Sequence, residues 1–221
     1  MNKIFSFLFP NFTCLACGDE INVSRHKNVC DICFSKFRLA HPVKANADSL
    51  IRPKDGGRVY LEYIFAPFTY GKPLSGLIMR LKYGDDSLPA QTVAPFLEKA
   101  IKEHEFDIII PIPLSKKRQK HRGYNQAEIL AQELCALGQI QVLTTALVRT
   151  RNTTPQTDMT VEERMENQKN AFEITDPEPI KGKRILLIDD VVTSGATVNE
   201  CAGVLIKAGA KAVSALAVAR S

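Results

Sequence analysis

The order of apolar and polar residues after residue 58 predicts alternating strands and helices. Continuous apolar runs are typical of buried strands, and they occur at residues 107–112, 184–188 and 211–218. Apolar residues three or four positions apart predict helices at 74–82, 88–104, 129–137 and 195–208. Shorter strands are predicted at 147–149 and 171–174, and a strand or a hairpin at 59–70. Because strands alternate with helices, we expect an α/β fold with a largely parallel sheet covered on both faces.

The length and composition are those of one α/β core with a small additional module. The chain has 221 residues, of which 45% are hydrophobic and 24% charged, and this excludes an intrinsically disordered protein. Cysteines are concentrated near the start, and residues 41–58 combine two prolines, a Gly-Gly pair and many polar residues. We therefore predict a module at 1–45, a linker at 46–58 and the α/β domain at 59–221.

The sequence contains no segment typical of a membrane helix or a signal peptide. Pro10 interrupts the apolar residues 4–9 before they reach the length of a signal-peptide core. No later stretch approaches the roughly 18 consecutive apolar residues of a membrane span. We expect a cytoplasmic protein without membrane insertion, in which cysteines are metal ligands or buried thiols. The net charge of +5 permits an anionic partner without requiring one.

Two Cys-x-x-Cys pairs indicate a structural zinc site. The four thiols are Cys14, Cys17, Cys30 and Cys33, and their spacing lets them converge on one tetrahedral zinc ion. The alternative is a set of buried thiols or a redox pair. Four sulfur ligands leave no open coordination position, so the metal would stabilise the module and not catalyse. Cys135 and Cys201 fall on predicted amphipathic helices and are interpreted as core thiols.

The segment 184–197 carries the pattern most informative about function. A buried strand leads into two acids, Asp189 and Asp190, and then into a loop rich in Thr, Ser and Gly that opens a helix. Backbone N–H groups at such a helix start favour a phosphate, while adjacent carboxylates can accept hydrogen bonds from the vicinal hydroxyls of a ribose. Carboxylates near a sugar also stabilise positive charge at the anomeric carbon. Separately, the acids could be ordinary polar residues and the loop a simple helix cap.

This segment resembles the motif of type I phosphoribosyltransferases that binds 5-phosphoribosyl-1-pyrophosphate (PRPP). The resemblance implies that Asp189 and Asp190 bind the ribose and are the catalytic residues if transfer occurs. It implies a PRPP-binding loop made of Val191, Val192, Thr193, Ser194, Gly195, Ala196 and Thr197. Magnesium would accompany PRPP.

The resemblance extends over most of the chain to the ComF family, which comprises the ComFC competence proteins and their GntX relatives. It is carried by the early cysteines, by residues 81–83, 111–118 and 122–126, and by the pattern of residues 149–150 and 155–157 with Arg164 and Asn167. The family implies a type I phosphoribosyltransferase-like sheet with an N-terminal zinc ribbon. It also implies a role in natural transformation, in which internalised single-stranded DNA is handled beside a ComFA-like helicase.

Two basic regions are candidate anion-binding segments. The first is predicted to be a loop that binds pyrophosphate or nucleic acid and includes Ser115, Lys116, Lys117, Arg118 and Arg122, although such a run is often only a solvated surface. The second resembles the flexible loop of the glutamine-dependent amidophosphoribosyltransferase, which closes over PRPP, and would use Arg149, Gln156, Thr157 and Arg164. Tyr83 and Tyr124 could stack on bases or belong to the core.

Three functional hypotheses remain open on the sequence alone. The first is a PRPP-binding competence protein whose basic surface binds single-stranded DNA. The second is an active phosphoribosyltransferase, a glycosyltransferase of the pentosyl class, acting on a nucleobase or an amine. The third is a scaffold for partner proteins. The few residues after Thr197 can form only a helix and a strand, so a hood over an acceptor would have to come from residues 1 to about 60 or be absent.

Overall fold

The computed structural model describes residues 13–21, 28–41, 43–44, 58–84, 86–138, 140–150 and 171–221. Within these ranges there are nine strands, which are β1 (Val43–Lys44), β2 (Tyr63–Phe65), β3 (Phe68–Thr69), β4 (Ile108–Pro111), β5 (Gln141–Val142), β6 (Leu147–Arg149), β7 (Phe172–Ile174), β8 (Arg184–Val192) and β9 (Ala212–Arg220). The α-helices of the same ranges are α1 (Asp31–Ser35), α2 (Leu74–Tyr83), α3 (Leu88–Ile101), α4 (Lys116–Arg122), α5 (Gln126–Gly138) and α6 (Ala196–Lys207). A short 3₁₀ turn covers Glu178–Ile180.

A mainly parallel sheet forms the centre of the fold and confirms the predicted class. Among the described residues it has seven strands in the order β1-β2-β9-β8-β4-β5, with β3 also paired to β9. The β1–β2 pair is antiparallel and the other pairs are parallel. β8 and β9 are the longest strands and lie at the centre, where apolar side chains are buried on both faces. Because the strands are parallel, β4 and β8 end at the same edge of the sheet.

The helices cover the sheet on both sides and create two apolar cores. On one side α2, α3 and α5 pack against the sheet, and Leu77, Leu97 and Leu130 are fully buried there. On the other side α6 packs together with the separate β6–β7 pair, around Leu205 and Phe172. The apolar spacing along each helix therefore predicts correctly which face is buried.

The cysteine-rich segment packs directly on the first core. Cys14, Leu15, Val29 and Cys33 belong to the same buried cluster as α2 and α3. Aromatic contacts extend this packing, because the ring centroids of Phe34 and Phe96 are 5.6 Å apart and those of Phe37 and Phe68 are 5.5 Å apart. The division into a module, a linker and a domain remains a prediction, since most of the linker lies outside the described residues.

Two predicted details are wrong, and one open alternative is decided. The strand at 184–188 continues to Val192 as β8, so the two acids lie within the strand and not after it. Of the strand or hairpin predicted at 59–70, the structure has strands and no hairpin, because β2 and β3 both pair in parallel with β9. The basic segment is not a loop but helix α4, which Ser115 caps by accepting a hydrogen bond from the backbone N–H of Arg118. Of the two predicted core thiols, Cys201 is fully buried and Cys135 is half-buried.

None of the described helices has both the length and the apolar character that a bilayer span requires.

Candidate functional site

The two adjacent acids near the carboxyl end of β8 have different environments. Both line a cleft, but Asp190 is buried, whereas Asp189 is half-buried. The backbone N–H of Asp190 donates a 2.8 Å hydrogen bond to Oδ1 of Asp189, which fixes one carboxylate oxygen of Asp189 against the chain. Successive side chains of a strand point to opposite faces, which explains why neighbouring acids have different surroundings.

Residues distant in the sequence contact both oxygens of Asp190. Nζ of Lys82, on the last turn of α2, is 3.1 Å from Oδ1. Nε2 of Gln126, the first residue of α5, donates a 2.9 Å hydrogen bond to Oδ2. A buried carboxylate is costly unless it is paired and hydrogen-bonded, and here it is both.

Asp189 has a raised pKa. Burial is the largest cause and the negative charge of Asp190 the next, and together they raise the pKa of Asp189 to about 7. The backbone N–H of Asp190 and the positive charges of Lys82 and Arg149 act in the opposite direction. Asp189 is therefore a carboxyl group that can change its charge near neutral pH.

The loop after β8 presents backbone N–H groups to the cleft. Gly195 adopts a left-handed conformation with φ of 70°, which a residue without Cβ accepts readily, and α6 begins at the next residue. Among the described side chains none caps α6 at Gly195, and Ser194 Oγ is 3.5 Å from the N–H of Ala196. The first-turn amides and the positive end of the helix dipole thus favour an anion.

Helix α4 has two basic faces. Arg118 and Arg122 are four residues apart, so they lie on one side of the helix, where both line the cleft and are half-buried. Lys116, Lys117 and Lys120 are exposed on the other side and do not line the cleft. Gly123, with φ of 80°, ends the helix. The folded helix therefore separates two groups of cations that are mixed in the sequence.

Arg122 connects α4 to the acids. Its NH1 group donates a 2.9 Å hydrogen bond to Oε1 of Gln126, whose amide nitrogen holds Asp190. Its guanidinium carbon is 4.9 Å from the ring centroid of Tyr83, a cation–π distance. Tyr83 and Lys82 are adjacent on α2, so one contiguous network joins α2, α4, α5 and β8.

These elements enclose a cleft of about 580 Å³ at the carboxyl edge of the sheet. It is lined by Tyr70, Met79, Lys82, Tyr83, Ile112, Pro113, Leu114, Arg118, Arg122, Gln126, Arg149 and residues 189–198. Arg149 enters from β6 and stacks on Phe172 at 5.2 Å. Burial lowers the pKa of Arg149, and the nearby charge of Arg118 lowers it further. Two guanidinium groups close together in a cleft favour a multiply charged anion.

The structure brings most of the predicted site residues into this cleft. Residues 189–197, Arg118, Arg122 and Arg149 all line it, whereas Ser115, Lys116 and Lys117 do not. Gln156, Thr157 and Arg164 lie outside the described residues, so their role stays a prediction. Of the two candidate stacking residues, Tyr83 is at the cleft, but the Tyr124 hydroxyl lies 2.9 and 2.8 Å from the carbonyl oxygens of Leu81 and Gly84 and supports the end of α2.

Eight lining residues were not singled out from the sequence as site residues. They are Tyr70, Met79, Lys82, Ile112, Pro113, Leu114, Gln126 and Val198. Met79 and Tyr83 are four residues apart on α2 and share one helix face, which the sequence predicts only as the partly polar side of an amphipathic helix. Among the described residues, none before Tyr70 lines the cleft.

The four paired cysteines form a second site. Their Sγ atoms all lie within 4.8 Å of one another, close to the spacing of about 3.8 Å that a tetrahedral Zn–S₄ centre requires. Backbone N–H groups already point at the sulfurs, with the N–H of Cys30 3.3 Å from Sγ of Cys14. Burial acts to raise the pKa of Cys14, but hydrogen bonds from backbone N–H groups, Cys30 foremost, outweigh it and lower the pKa to about 6. The cluster can hold a metal ion that prefers thiolates.

Comparisons with known proteins identify sequence relatives of this chain. Residues 90–221, more than half of the chain, match the phosphoribosyl transferase domain family. Competence protein F of Haemophilus influenzae is 34% identical over 160 residues, which cover 69% of this chain and 70% of that protein. DNA utilization protein YhgH of Escherichia coli is 34% identical over 159 residues, 69% of each chain. Competence protein ComFC of Streptococcus pneumoniae is 33% identical over 163 residues, 70% of this chain and 67% of that protein.

Proposed function

This chain belongs to the ComF family of proteins with a phosphoribosyl transferase domain, and from this we propose that it binds PRPP with magnesium and acts in DNA uptake during natural transformation. The names of the curated relatives, competence protein and DNA utilization protein, support the biological role. More specifically, the protein would handle internalised single-stranded DNA beside a ComFA-like helicase.

One observation carries the ligand assignment. Asp189, the loop of residues 193–197 and the two arginines of α4 line the same cleft. A ligand with a diol between two phosphorylated ends matches this order. Carboxylates accept hydrogen bonds from hydroxyl groups, amide N–H groups at a helix start bind a monophosphate, and guanidinium groups bind a diphosphate. PRPP has these three parts in that sequence.

In this arrangement each group has one task. The first turn of α6 would bind the 5′-phosphate, Asp189 would accept from the ribose hydroxyls, and Arg118, Arg122 and Arg149 would bind the diphosphate. Magnesium bound together with PRPP would neutralise part of the negative charge of the diphosphate. If the diphosphate departs, the carboxylates stabilise the positive charge that develops at the anomeric carbon.

We propose zinc for the four-cysteine cluster. Sulfur ligands, tetrahedral spacing and N–H groups aimed at the sulfurs all suit Zn²⁺. The cluster is part of the core beside α2 and α3, so the metal would stabilise the fold, and thiolates available for zinc are typical of the cytoplasm.

The outer face of α4 is the proposed contact for single-stranded DNA. Lys116, Lys117, Lys120 and His121 are exposed there, and no acid interrupts the helix. Such a surface binds phosphates without reading bases, so the affinity would fall steeply with salt. The face continues around α4 to the arginines of the cleft.

Calorimetry with PRPP and magnesium tests the ligand assignment. We expect saturable binding that Asp189→Asn and Arg118→Ala each weaken by roughly tenfold or more, as expected for loss of a charged contact of about 1.4 kcal/mol. Lys99→Ala, on the exposed side of α3, is the matched control and should bind normally. Absence of heat with the wild-type chain, or equal binding by all variants, contradicts the assignment.

The second candidate function, phosphoribosyl transfer, is favoured by one specific observation. Tyr70, Met79 and Tyr83 are large apolar side chains that remain 42%, 50% and 54% exposed, and all three line the same cleft. A flat acceptor such as a nucleobase could stack against them. Release of pyrophosphate from PRPP in the presence of a panel of bases would establish this activity, and binding without release would favour the first function.

A further inference from the structure

The acid pair is asymmetric in a way that the motif does not reveal. Both oxygens of Asp190 are held by protein groups, Lys82 at 3.1 Å and Gln126 at 2.9 Å, and its side chain is 7% exposed. Asp189 has only one oxygen held, by a backbone N–H, and although both acids line the cleft, Asp189 is the more exposed of the two. The two carboxylates therefore have different capacities for a ligand.

Lys82 is largely buried, and a buried ammonium group requires a partner of opposite charge. Its side chain is 23% exposed and its ammonium group is directed at Asp190 from the last turn of α2. Breaking a buried ion pair by removing one member leaves an uncompensated charge. In this protein that charge would be Asp190, next to a second carboxyl group.

We propose that Lys82 is a positioning residue that holds the carboxylate of Asp190 in place, so that Asp189 is the member of the pair that contacts the sugar. This inference rests on the proposed PRPP site and deepens it. Gln126 completes the arrangement, because its amide nitrogen binds Asp190 while its oxygen accepts from Arg122. Lys82 thus acts on the ligand through the two acids.

The charged groups around the pair determine the expected effect. Asp189 is influenced by Asp190 on its own strand, by Lys82 from α2 and by Arg149 from β6, and it lies near Cys201 of α6. Arg118 of α4 acts on Arg149, and Arg122 lies behind Gln126. Lys82 is a cation that lowers the pKa of Asp189, so its removal leaves two like charges opposed mainly by Arg149. The two acids release their protons in two steps, and the step at higher pH is called the upper titration step. Without Lys82 this step must move to higher pH.

The first test uses the ligand-free protein. Carboxyl ¹³C NMR titrations of the wild type and of Lys82→Met, with Asp189→Asn to assign the resonance, report the upper step of the pair directly. We expect Lys82→Met to raise this step by about one pKa unit and Lys82→Arg to restore it. Lys99→Met is the matched control and should leave it unchanged. An unchanged titration in Lys82→Met overturns the inference, whatever the result with PRPP.

The second test follows PRPP affinity against pH in the same variants. In Lys82→Met the upper step is expected at about 8, so the ionised fraction of Asp189 at pH 7 falls from about one half to about one tenth. The PRPP affinity of this variant should therefore be about fivefold lower at pH 7 and should recover by about pH 9. A loss that is equal at every pH would make Lys82 a direct ligand contact and would overturn the positioning role. If the NMR step shifts but the wild type does not bind PRPP, the proposed ligand and the contact between Asp189 and its sugar are both wrong, whereas the Lys82–Asp190 coupling stands.

The variants remain informative if the ion pair also supports folding. Thermal unfolding of each variant is recorded first, and Lys82→Gln provides a second neutral side chain that can still donate to Asp190. Recovery of the wild-type titration by Lys82→Gln would show that charge is not required and would overturn the inference. A raised titration step in both neutral variants supports it.

Discussion

Gly76 of α2 lies against the backbone of Ala16, in the turn between the first two cysteines of the cluster. A Cβ on Gly76 would be only 2.1 Å from the carbonyl oxygen of Ala16. Cys14 and Leu15 belong to the same buried cluster as Leu77 and Leu81 of α2. Since α2 also carries Lys82 and Tyr83 into the cleft, the helix that contacts the cysteine cluster is also a wall of the candidate site.

Gly76→Ala should destabilise the protein by about 1–3 kcal/mol. Alanine favours a helix by about 1 kcal/mol relative to glycine, but the added methyl group forces α2 away from a backbone oxygen that cannot rotate aside. Urea unfolding measures the change. Gly71→Ala is the control, because no described atom lies within 4 Å of the added Cβ, and it should be neutral or slightly stabilising. Equal stability of the two variants would contradict the close packing.

Removal of the metal should lower the melting temperature of the whole domain. We expect one zinc ion per chain by metal analysis, and loss of that ion in Cys17→Ser, whose thiol is exposed. Because the cluster is continuous with the core around α2 and α3, chelation should lower the melting temperature by about 5 °C or more. Cys135→Ser, outside the cluster, should retain the ion. A zinc-free protein with an unchanged melting curve would exclude a structural metal.

The stability of the ligand-free protein should carry a contribution from Asp189 that falls as pH rises from about 4 to about 7. The folded-state pKa of Asp189 is about 7 and its ordinary value is 3.8, so within this window the folded state binds more protons than the unfolded state. This contribution is fully present below about 4 and lost above about 7.

Asp189→Asn removes this contribution and tests it. The variant should be more stable than the wild type at pH 8 and lose the corresponding pH dependence, while it binds PRPP more weakly. Chemical denaturation between pH 4 and 8 measures the difference. Identical pH profiles for the two proteins would mean that Asp189 ionises normally in the folded state.

Charge reversal on the two faces of α4 should separate the two proposed ligands. Lys117 is exposed and outside the cleft, whereas Arg118 lines it. Lys117→Glu should weaken single-stranded DNA binding and leave the PRPP affinity unchanged. The slope of log affinity for DNA against log salt concentration should become less steep by about one. Arg118→Glu should weaken PRPP binding as well.

Lys183→Glu is the control for the charge change. This exposed lysine immediately precedes β8, at the opposite edge of the sheet from the cleft. Fluorescence anisotropy with labelled oligonucleotides at several salt concentrations gives the slopes. If Lys183→Glu weakens DNA binding as much as Lys117→Glu, the interaction follows net charge and not the α4 surface.

The sequence alone determined the features that depend on neighbouring residues. Apolar periodicity predicted the core strands and the four longest helices, α2, α3, α5 and α6, because burial of one face follows from local spacing. The four cysteines and the segment from Asp189 to Thr197 were also recognisable, since each motif is formed by residues close together in the chain.

Only the tertiary structure decided the features that depend on residues far apart in the chain. The periodicity of α2 marked its buried side, but the parallel sheet and the packing of α2 and α5 against α3 brought Lys82 and Gln126 to the same carboxylate. Helix formation likewise divided the basic segment, because 3.6 residues per turn place Arg118 and Arg122 on one side and the lysines on the other. An ion pair or a shared face between distant elements depends on how those elements pack, and no local pattern specifies this packing.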